Sequence, residues 1–132
     1  MNVLLYCVGR NLNRAYRTCE SFGVERLLLL ECSGAHLAGS LYSATGRVAV
    51  EMVGEWPGPD GLLALETRYK QPLWRVDWRR VDTIAIGGET AGLPAGLPAE
   101  QTATIFTIGH LRALTVEAAL AIALYEWTRN CV

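Results

Sequence analysis

Short apolar runs separated by segments of helical periodicity limit the possible folds of this chain more than any other feature. The predicted strands are residues 2–8, 26–31, 48–53, 72–76, 81–86 and 102–108. The predicted helices are residues 11–22, ended by Gly23, residues 62–69, capped by Asp60, and residues 115–129, capped by Thr115. Strands that alternate with helices predict an α/β fold with a mostly parallel sheet flanked by helices. We expect residues 1–132 to form a single domain of this kind.

A glycine-rich stretch follows the predicted strand 81–86. Gly87 and Gly88 end the strand, and Glu89 and Gly92 come directly after them. Glycines at a strand end allow a sharp bend and let a ligand approach the main chain closely. In open α/β sheets, ligands bind outside the carboxyl ends of the strands, which is where this stretch lies. A plain strand-to-loop turn without a ligand explains the stretch equally well when it is taken alone.

Three arginines share one face of the first predicted helix. Arg10, Arg14 and Arg17 follow the i, i+4, i+7 spacing of a helical stripe. Positive charges near a helix N-terminus oppose the macrodipole and repel one another, so local stability does not favour this arrangement. We therefore expect an anionic partner. A solvated basic face is the alternative.

The last predicted helix is apolar on nearly every side. Residues 116–124 contain eight apolar residues interrupted only by Glu117. A helix that is apolar all round must be buried all round, and a domain this small cannot cover every side itself. This pattern predicts a homodimer.

Composition and net charge argue against several classes of function. The formal net charge of −1 argues against a nonspecific electrostatic binder of nucleic acid. Cys7, Cys19, Cys32 and Cys131 are widely spaced and match no zinc pattern, so we expect free thiols in a reducing, cytoplasmic setting and no bound metal. No apolar run approaches the ~20 residues that span a membrane, so no membrane partner is expected.

Three stretches of the chain resemble the three motifs of the SpoU (TrmH-like) branch of the SPOUT RNA methyltransferases. The first motif is represented by Asn13, Arg17, Thr18, Phe22 and Gly23. The second is represented by Ile86, Gly87, Glu89, Gly92 and Leu93. The third begins at Ile105 and continues with Ala113, Leu114, Thr115, Val116, Tyr125 and Glu126. The resemblance covers nearly the whole chain and is greatest to the minimal, single-domain members of the family.

This resemblance implies a fold and an activity. The implied fold is an α/β domain with a deep C-terminal trefoil knot that works as a homodimer. The implied reaction transfers a methyl group from S-adenosylmethionine to a ribose 2′-hydroxyl of RNA, with tRNA favoured over rRNA as the substrate.

The resemblance also implies roles for individual residues. The implied catalytic residues are Arg17, Asn13, Glu89 and Thr115. The implied cofactor-binding residues are Gly87, Gly88, Gly92, Ile105, Ile108, Ala113 and Leu114. Arg10 and Arg14 are expected to contact RNA. Because the guanidinium pKa stays above about 12, we expect Arg17 to hold a phosphate and to stabilise developing negative charge, not to act as a base.

Two positions depart from the family pattern. Ala113 and Thr115 stand where the family has serine and asparagine, which removes polar groups from the third motif. The alternative function is therefore a catalytically weak or inactive knotted dimer that binds RNA or a nucleoside ligand. An unrelated nucleotide-binding α/β protein is a third hypothesis, but it leaves the arginine stripe and the apolar last helix unexplained.

Overall fold

A computed structural model of the protein describes residues 1–10, 12–32, 46–110 and 114–132. The strands are β1 (Asn2–Tyr6), β2 (Arg26–Leu30), β3 (Ala49–Val53), β4 (Leu62–Leu65), β5 (Thr83–Gly87) and β6 (Gln101–Ala103). The helices are α1 (Leu12–Ser21) and α2 (Val116–Cys131), with short 3₁₀ turns at Leu73–Arg75 and Trp78–Arg80.

The strands form one sheet in the order β3-β2-β1-β5-β4-β6, and each pair of neighbouring strands is parallel. This arrangement confirms the predicted α/β fold with a mostly parallel sheet. Strands β2 and β3 lie on one side of β1, and β5, β4 and β6 lie on the other side. Tyr6 at the end of β1 is paired with Gly87 at the end of β5. The order of the strands therefore reverses between β1 and β5, and ligands bind beside such reversal points in open α/β sheets.

Helix α1 forms where the sequence predicts it. Leu12, Ala15, Tyr16 and Cys19 are buried along one stripe, as the helical spacing requires. Gly23 follows the helix in the left-handed region, with φ of +70°, which glycine reaches without steric cost. Local signals therefore set both the buried face and the end of this helix.

Both helices pack on the same face of the sheet. Residues from α1 and α2, among them Leu12, Leu120 and Leu124, join strand residues such as Leu5 and Ile84 in one buried cluster. The opposite face of the sheet buries a smaller cluster around Leu4 and Leu62. Burial of these apolar side chains is the main stabilising contribution to the fold.

Two of the predicted elements are wrong. Residues 62–69 were expected to form a helix, but Leu62–Leu65 is the strand β4, with all four side chains buried between β5 and β6. Residues 72–76 were expected to form a strand, but Leu73–Arg75 is a 3₁₀ turn. Periodicity alone does not separate short apolar runs into helix and strand, and here the pairing with neighbouring strands decides.

The prediction for the last strand is wrong in its extent. In place of a strand over residues 102–108, β6 ends at Ala103, and the pairing continues only as a single bridge between Pro72 and Thr104. Residues 33–45, whose many small residues indicate a loop, lie outside the described residues. Neither α1 nor α2, the helices of the described chain, is long and apolar enough to cross a membrane.

Candidate active site

A tight glycine turn follows β5. The Gly88 amide donates a hydrogen bond of 2.8 Å to the Tyr6 carbonyl, and the Gly92 amide donates one of 2.8 Å to the Gly88 carbonyl. A Cβ atom on Gly88 would lie 2.5 Å from the Cys7 carbonyl oxygen, and one on Gly87 would lie 2.7 Å from the Leu93 nitrogen. The backbone therefore packs against itself and against the end of β1, and side chains at Gly87 or Gly88 have no room.

A cleft opens beside this turn at the carboxyl edge of the sheet. The ends of β4 and β5, the segment after β6 and the beginning of α2 form its walls. Six residues that the resemblance singled out line it: Gly87, Gly88, Glu89, Gly92, Ile105 and Leu114. Apolar side chains, including Leu65 and Ile86, face the peptide groups of the glycine turn across the cleft, which is the usual make-up of a small-molecule site.

Two of the expected cofactor-binding residues are not part of this cleft. The Ile108 side chain is fully exposed and does not line the cleft. Ala113 lies outside the described residues.

Thr115 begins α2 as its N-cap. Its hydroxyl accepts a hydrogen bond of 3.3 Å from the Ala118 amide, in agreement with the predicted cap. Such a cap satisfies one of the unpaired amides at a helix start and is typically worth about 1 kcal/mol. The Thr115 oxygen beside the cleft is therefore already engaged in holding α2.

Arg14 and Arg17 lie in α1 and Arg10 precedes it, and these three arginines differ in their contacts. Arg14 forms an ion pair of 3.4 Å with Glu117 in the first turn of α2, which places α1 beside the wall of the cleft. Arg17 is exposed and forms no ion pair within the described residues, and Arg10 is exposed as well. Arg17 is thus a guanidinium group available for an external anion.

Asn13 lies one turn before Arg17 on the same helix and is half-buried. No hydrogen bond joins the Asn13 and Arg17 side chains within the described residues. The catalytic role that the resemblance implies for Asn13 is therefore not supported by a contact with Arg17.

A polar cluster lies at the ends of β1 and β2, next to the glycine turn. Cys7 and Glu31 both have positive φ, at 53° and 52°, and the Cys7 thiol lies 3.8 Å from the Glu31 carboxylate. Hydrogen bonding to Glu31, and secondarily to Cys7, raises the pKa of Tyr6 to about 12. Tyr6 therefore keeps its proton at neutral pH and is a hydrogen-bond donor at this edge.

Three polar residues of the cleft were missed by sequence reasoning. Glu66 and Thr67 follow β4, and Thr104 follows β6. The predicted helix over residues 62–69 places Glu66 and Thr67 away from the carboxyl edge of the sheet. The predicted strand over residues 102–108 places Thr104 inside a strand and not at its end. The signal was present in the uninterrupted apolar run Leu62–Leu65, which is typical of a strand buried on both faces.

The described residues contain no group of three or more His, Cys, Asp or Glu side chains arranged to hold a metal ion. The polar groups of the cleft are hydroxyls, two carboxylates and backbone amides. Such groups bind an organic ligand by hydrogen bonding.

Comparison with solved structures shows which proteins share this fold. An rRNA methyltransferase from Sinorhizobium meliloti with bound AdoMet superposes with a TM-score of 0.85 at 21% identity, over 99% of this chain and 56% of that chain. The SpoU methyltransferase AviRb from Streptomyces viridochromogenes, in complex with the cofactor AdoMet, gives 0.83 at 20% identity, over 98% and 57%. A structure described as giving insights into the 2-OH methylation of C/U34 on tRNA gives 0.78 at 24% identity, over 97% and 88%.

These likenesses establish the fold. The chain has the α/β architecture of solved SpoU and TrmH methyltransferases over nearly its whole length. It spans little more than half the length of the first two structures and most of the third. No protein-family model matches the sequence, and no curated protein sequence matches it significantly.

Proposed function

We propose that this protein transfers a methyl group from S-adenosylmethionine to a ribose 2′-hydroxyl of RNA, releasing S-adenosylhomocysteine and a proton. The observation that carries the proposal is the cleft between the glycine turn and α2, at the carboxyl edge of the sheet. Support comes from the shared fold, because two of the compared structures hold AdoMet and are described as methyltransferases. The structure concerned with tRNA, of which this chain covers 88%, favours tRNA as the substrate class.

The lining of the cleft fits such a cofactor. Ile105 and Leu114 offer an apolar surface for a purine ring, and the turn from Gly87 to Gly92 offers peptide groups to polar atoms. Gly88 is assigned to this backbone surface as well. Contacts of Ala113 and Ile108 with the cofactor remain predictions from the resemblance. When bound, the cofactor supplies an electrophilic methyl group, so the task of the protein is mainly alignment and charge stabilisation.

Arg17 is assigned to the RNA. A guanidinium forms paired hydrogen bonds with a phosphate and remains charged at any physiological pH. Held near the reacting ribose, it stabilises the negative charge that develops on the 2′-oxygen as its proton leaves. Asn13 and Glu89 are assigned to positioning Arg17 and the glycine turn, and Arg10 to the RNA backbone. Arg14 reaches RNA only by giving up its exposed ion pair with Glu117.

One observation favours a second function. The Thr115 hydroxyl caps α2, so its oxygen is already committed where the family has an asparagine amide. An asparagine amide has two donor protons and two acceptor lone pairs on a longer side chain, whereas a capping threonine has one proton and one lone pair left on a short one. A catalytically weak protein that binds RNA or a nucleoside ligand at the same cleft is the alternative.

Calorimetric titration with S-adenosylmethionine, followed by a methyl-transfer assay with bulk tRNA, tests the proposal. We expect saturable binding in the micromolar range, and ribose methylation found by nuclease digestion of the tRNA. Binding without transfer to any RNA would favour the alternative function. If the cofactor does not bind at millimolar concentration, the methyltransferase function is refuted.

We also propose a knotted homodimer formed through α2. Two large apolar side chains of α2 are exposed, Ile122 at 42% and Tyr125 at 61%, which is unusual for a helix whose other face is fully buried. Burying this face against a second copy would remove the exposed apolar surface. A knot in the C-terminal part is proposed from the resemblance.

If α2 forms the dimer interface, a negative charge introduced on its exposed apolar face should disrupt the dimer. Ile122→Glu should convert the dimer into a monomer in size-exclusion chromatography with light scattering, since an unpaired carboxylate would be buried at the interface. Met52→Glu is the matched control, because Met52 is exposed to 56% on the edge strand β3, away from α2. A wild-type monomer at micromolar concentration would contradict the proposed dimer.

A further inference from the structure

The Glu66 carboxylate has hydrogen-bonding capacity that the described protein does not use. Glu66 follows the last residue of β4 and lines the cleft, and its side chain is only 20% exposed. Its Oε2 atom is inaccessible to solvent and accepts no hydrogen bond within the described residues. An unsatisfied buried acceptor of this kind is destabilising, so native structures rarely keep one without a partner.

Arg68 balances the charge of Glu66 without satisfying its oxygens. Arg68 Nε lies 3.0 Å from Oε2, but its N–H is not directed at that oxygen. The other end of the guanidinium donates hydrogen bonds to the Tyr69 hydroxyl, at 3.1 Å, and to the Pro94 carbonyl, at 3.0 Å. The ion pair therefore offsets the charge of the carboxylate, and Oε2 still accepts no hydrogen bond from the described residues.

The second oxygen of the carboxylate lies against the glycine turn. A Cβ atom on Gly92 would collide with Glu66 Oε1, so the absence of a side chain at Gly92 makes room for the carboxylate. Gly92 also has a left-handed φ of +62°, which disfavours other residues there. The carboxylate is thus held between the end of β4 and the turn, on the wall of the cleft.

We propose that Glu66 binds the 2′- and 3′-hydroxyls of the ribose of the nucleoside ligand. Oε1, on the wall of the cleft, accepts a hydrogen bond from one hydroxyl, and Oε2 accepts from the other once the side chain turns it away from Arg68. A carboxylate accepts from two neighbouring hydroxyls at once, and in other open α/β sheets an acidic residue near the carboxyl edge holds a ribose in this way. Glu89 also lines the cleft but is exposed, so water competes for its oxygens. This assignment rests on the proposed function, because it takes the ligand to be an adenosine derivative.

Titration calorimetry with S-adenosylhomocysteine and its 2′,3′-dideoxy analogue tests the assignment. For the wild type, removing both hydroxyls should weaken binding about 10²-fold, since hydrogen bonds to a charged group are the strong ones. Glu66→Gln keeps the shape but replaces one acceptor by a donor. We expect it to bind S-adenosylhomocysteine about tenfold more weakly and to distinguish the two ligands only a few-fold.

Glu100→Gln is the matched control. Glu100 is 25% exposed on its side chain and forms one ion pair, of 2.9 Å with Arg80, but it does not line the cleft. This variant should keep the full wild-type preference for the hydroxylated ligand.

Each outcome decides between the proposals. If Glu66→Gln keeps the 10²-fold preference of the wild type, another group holds the ribose and the assignment is overturned, while the proposed function stands. Equal binding of both ligands by the wild type overturns it as well, even when the variant cannot be purified in a folded form. Failure of the wild type to bind either ligand or S-adenosylmethionine overturns the proposed function itself and, with it, this assignment.

Discussion

We expect Arg17→Ala to lower the rate of the proposed methyl transfer to tRNA by about 10²–10³-fold and to leave the affinity for S-adenosylmethionine unchanged. The reason is that Arg17 is exposed and unpaired within the described residues, so its removal costs little stability but takes away the charge assigned to the RNA. Arg17→Lys should recover part of the rate, because lysine keeps the charge but not the paired donors. Single-turnover methylation of bulk tRNA, with calorimetry for the cofactor, measures both effects.

Arg79→Ala is the control for this prediction. The Arg79 side chain is 89% exposed and forms only a surface ion pair of 3.4 Å with Asp77. Its loss should change neither stability nor rate by more than a small factor, because exposed ion pairs contribute little. An equal loss of rate in both variants would show that general surface charge matters, and an unchanged rate in Arg17→Ala would refute the assigned role.

Gly87→Ala is expected to destabilise the protein and to weaken the proposed cofactor binding. The added Cβ would lie 2.7 Å from the Leu93 nitrogen and even closer to the Gly92 backbone, which cannot move aside as a flexible side chain can. We expect a loss of about 2–3 kcal/mol, or roughly 5–10 °C in the midpoint of thermal unfolding. Because the same turn forms the wall of the cleft, the dissociation constant of S-adenosylmethionine should rise at least about tenfold.

Gly54→Ala serves as the comparison for Gly87→Ala. Nothing lies within 4 Å of a Cβ atom built on Gly54, and its φ does not fall in the left-handed region. We expect this variant to unfold within about 2 °C of the wild type and to bind the cofactor normally. If Gly87→Ala has the same unfolding midpoint and the same cofactor affinity as Gly54→Ala, the turn accommodates a side chain at Gly87, and this prediction is wrong.

The parts of the fold that follow from short-range signals could be predicted. Helix α1 has its apolar stripe and Gly23 within a dozen residues, and Thr115 caps α2 through a hydrogen bond to a residue three positions away. The glycine turn was also predictable, because three glycines after an apolar run give the backbone the freedom for a sharp bend. These features depend on neighbours in sequence, which a single sequence displays.

Features that depend on pairing across the sheet could not be predicted in the same way. Whether Leu62–Leu65 is helix or strand is decided by β5 and β6, which lie about 20 and 40 residues further along the chain. Glu66 lies in the cleft because Leu62–Leu65 is a strand, and the sequence predicts a helix there. The burial of its Oε2 atom is not visible in any sequence pattern. The ion pair of Arg14 with Glu117 joins two helices 103 positions apart, and likewise became visible only in three dimensions.

The close packing of the glycine turn also divides the cleft into a part that tolerates change and a part that does not. Gly87 and Gly88 meet main-chain atoms of Leu93 and Cys7, so no other residue type can enter there without rebuilding the turn. Glu66, Thr67 and Ile105 project side chains from the ends of other strands and carry no such restriction. A change of ligand preference, in nature or by engineering, would therefore be reached through the ends of β4 and β6, with the glycine turn kept as a constant template.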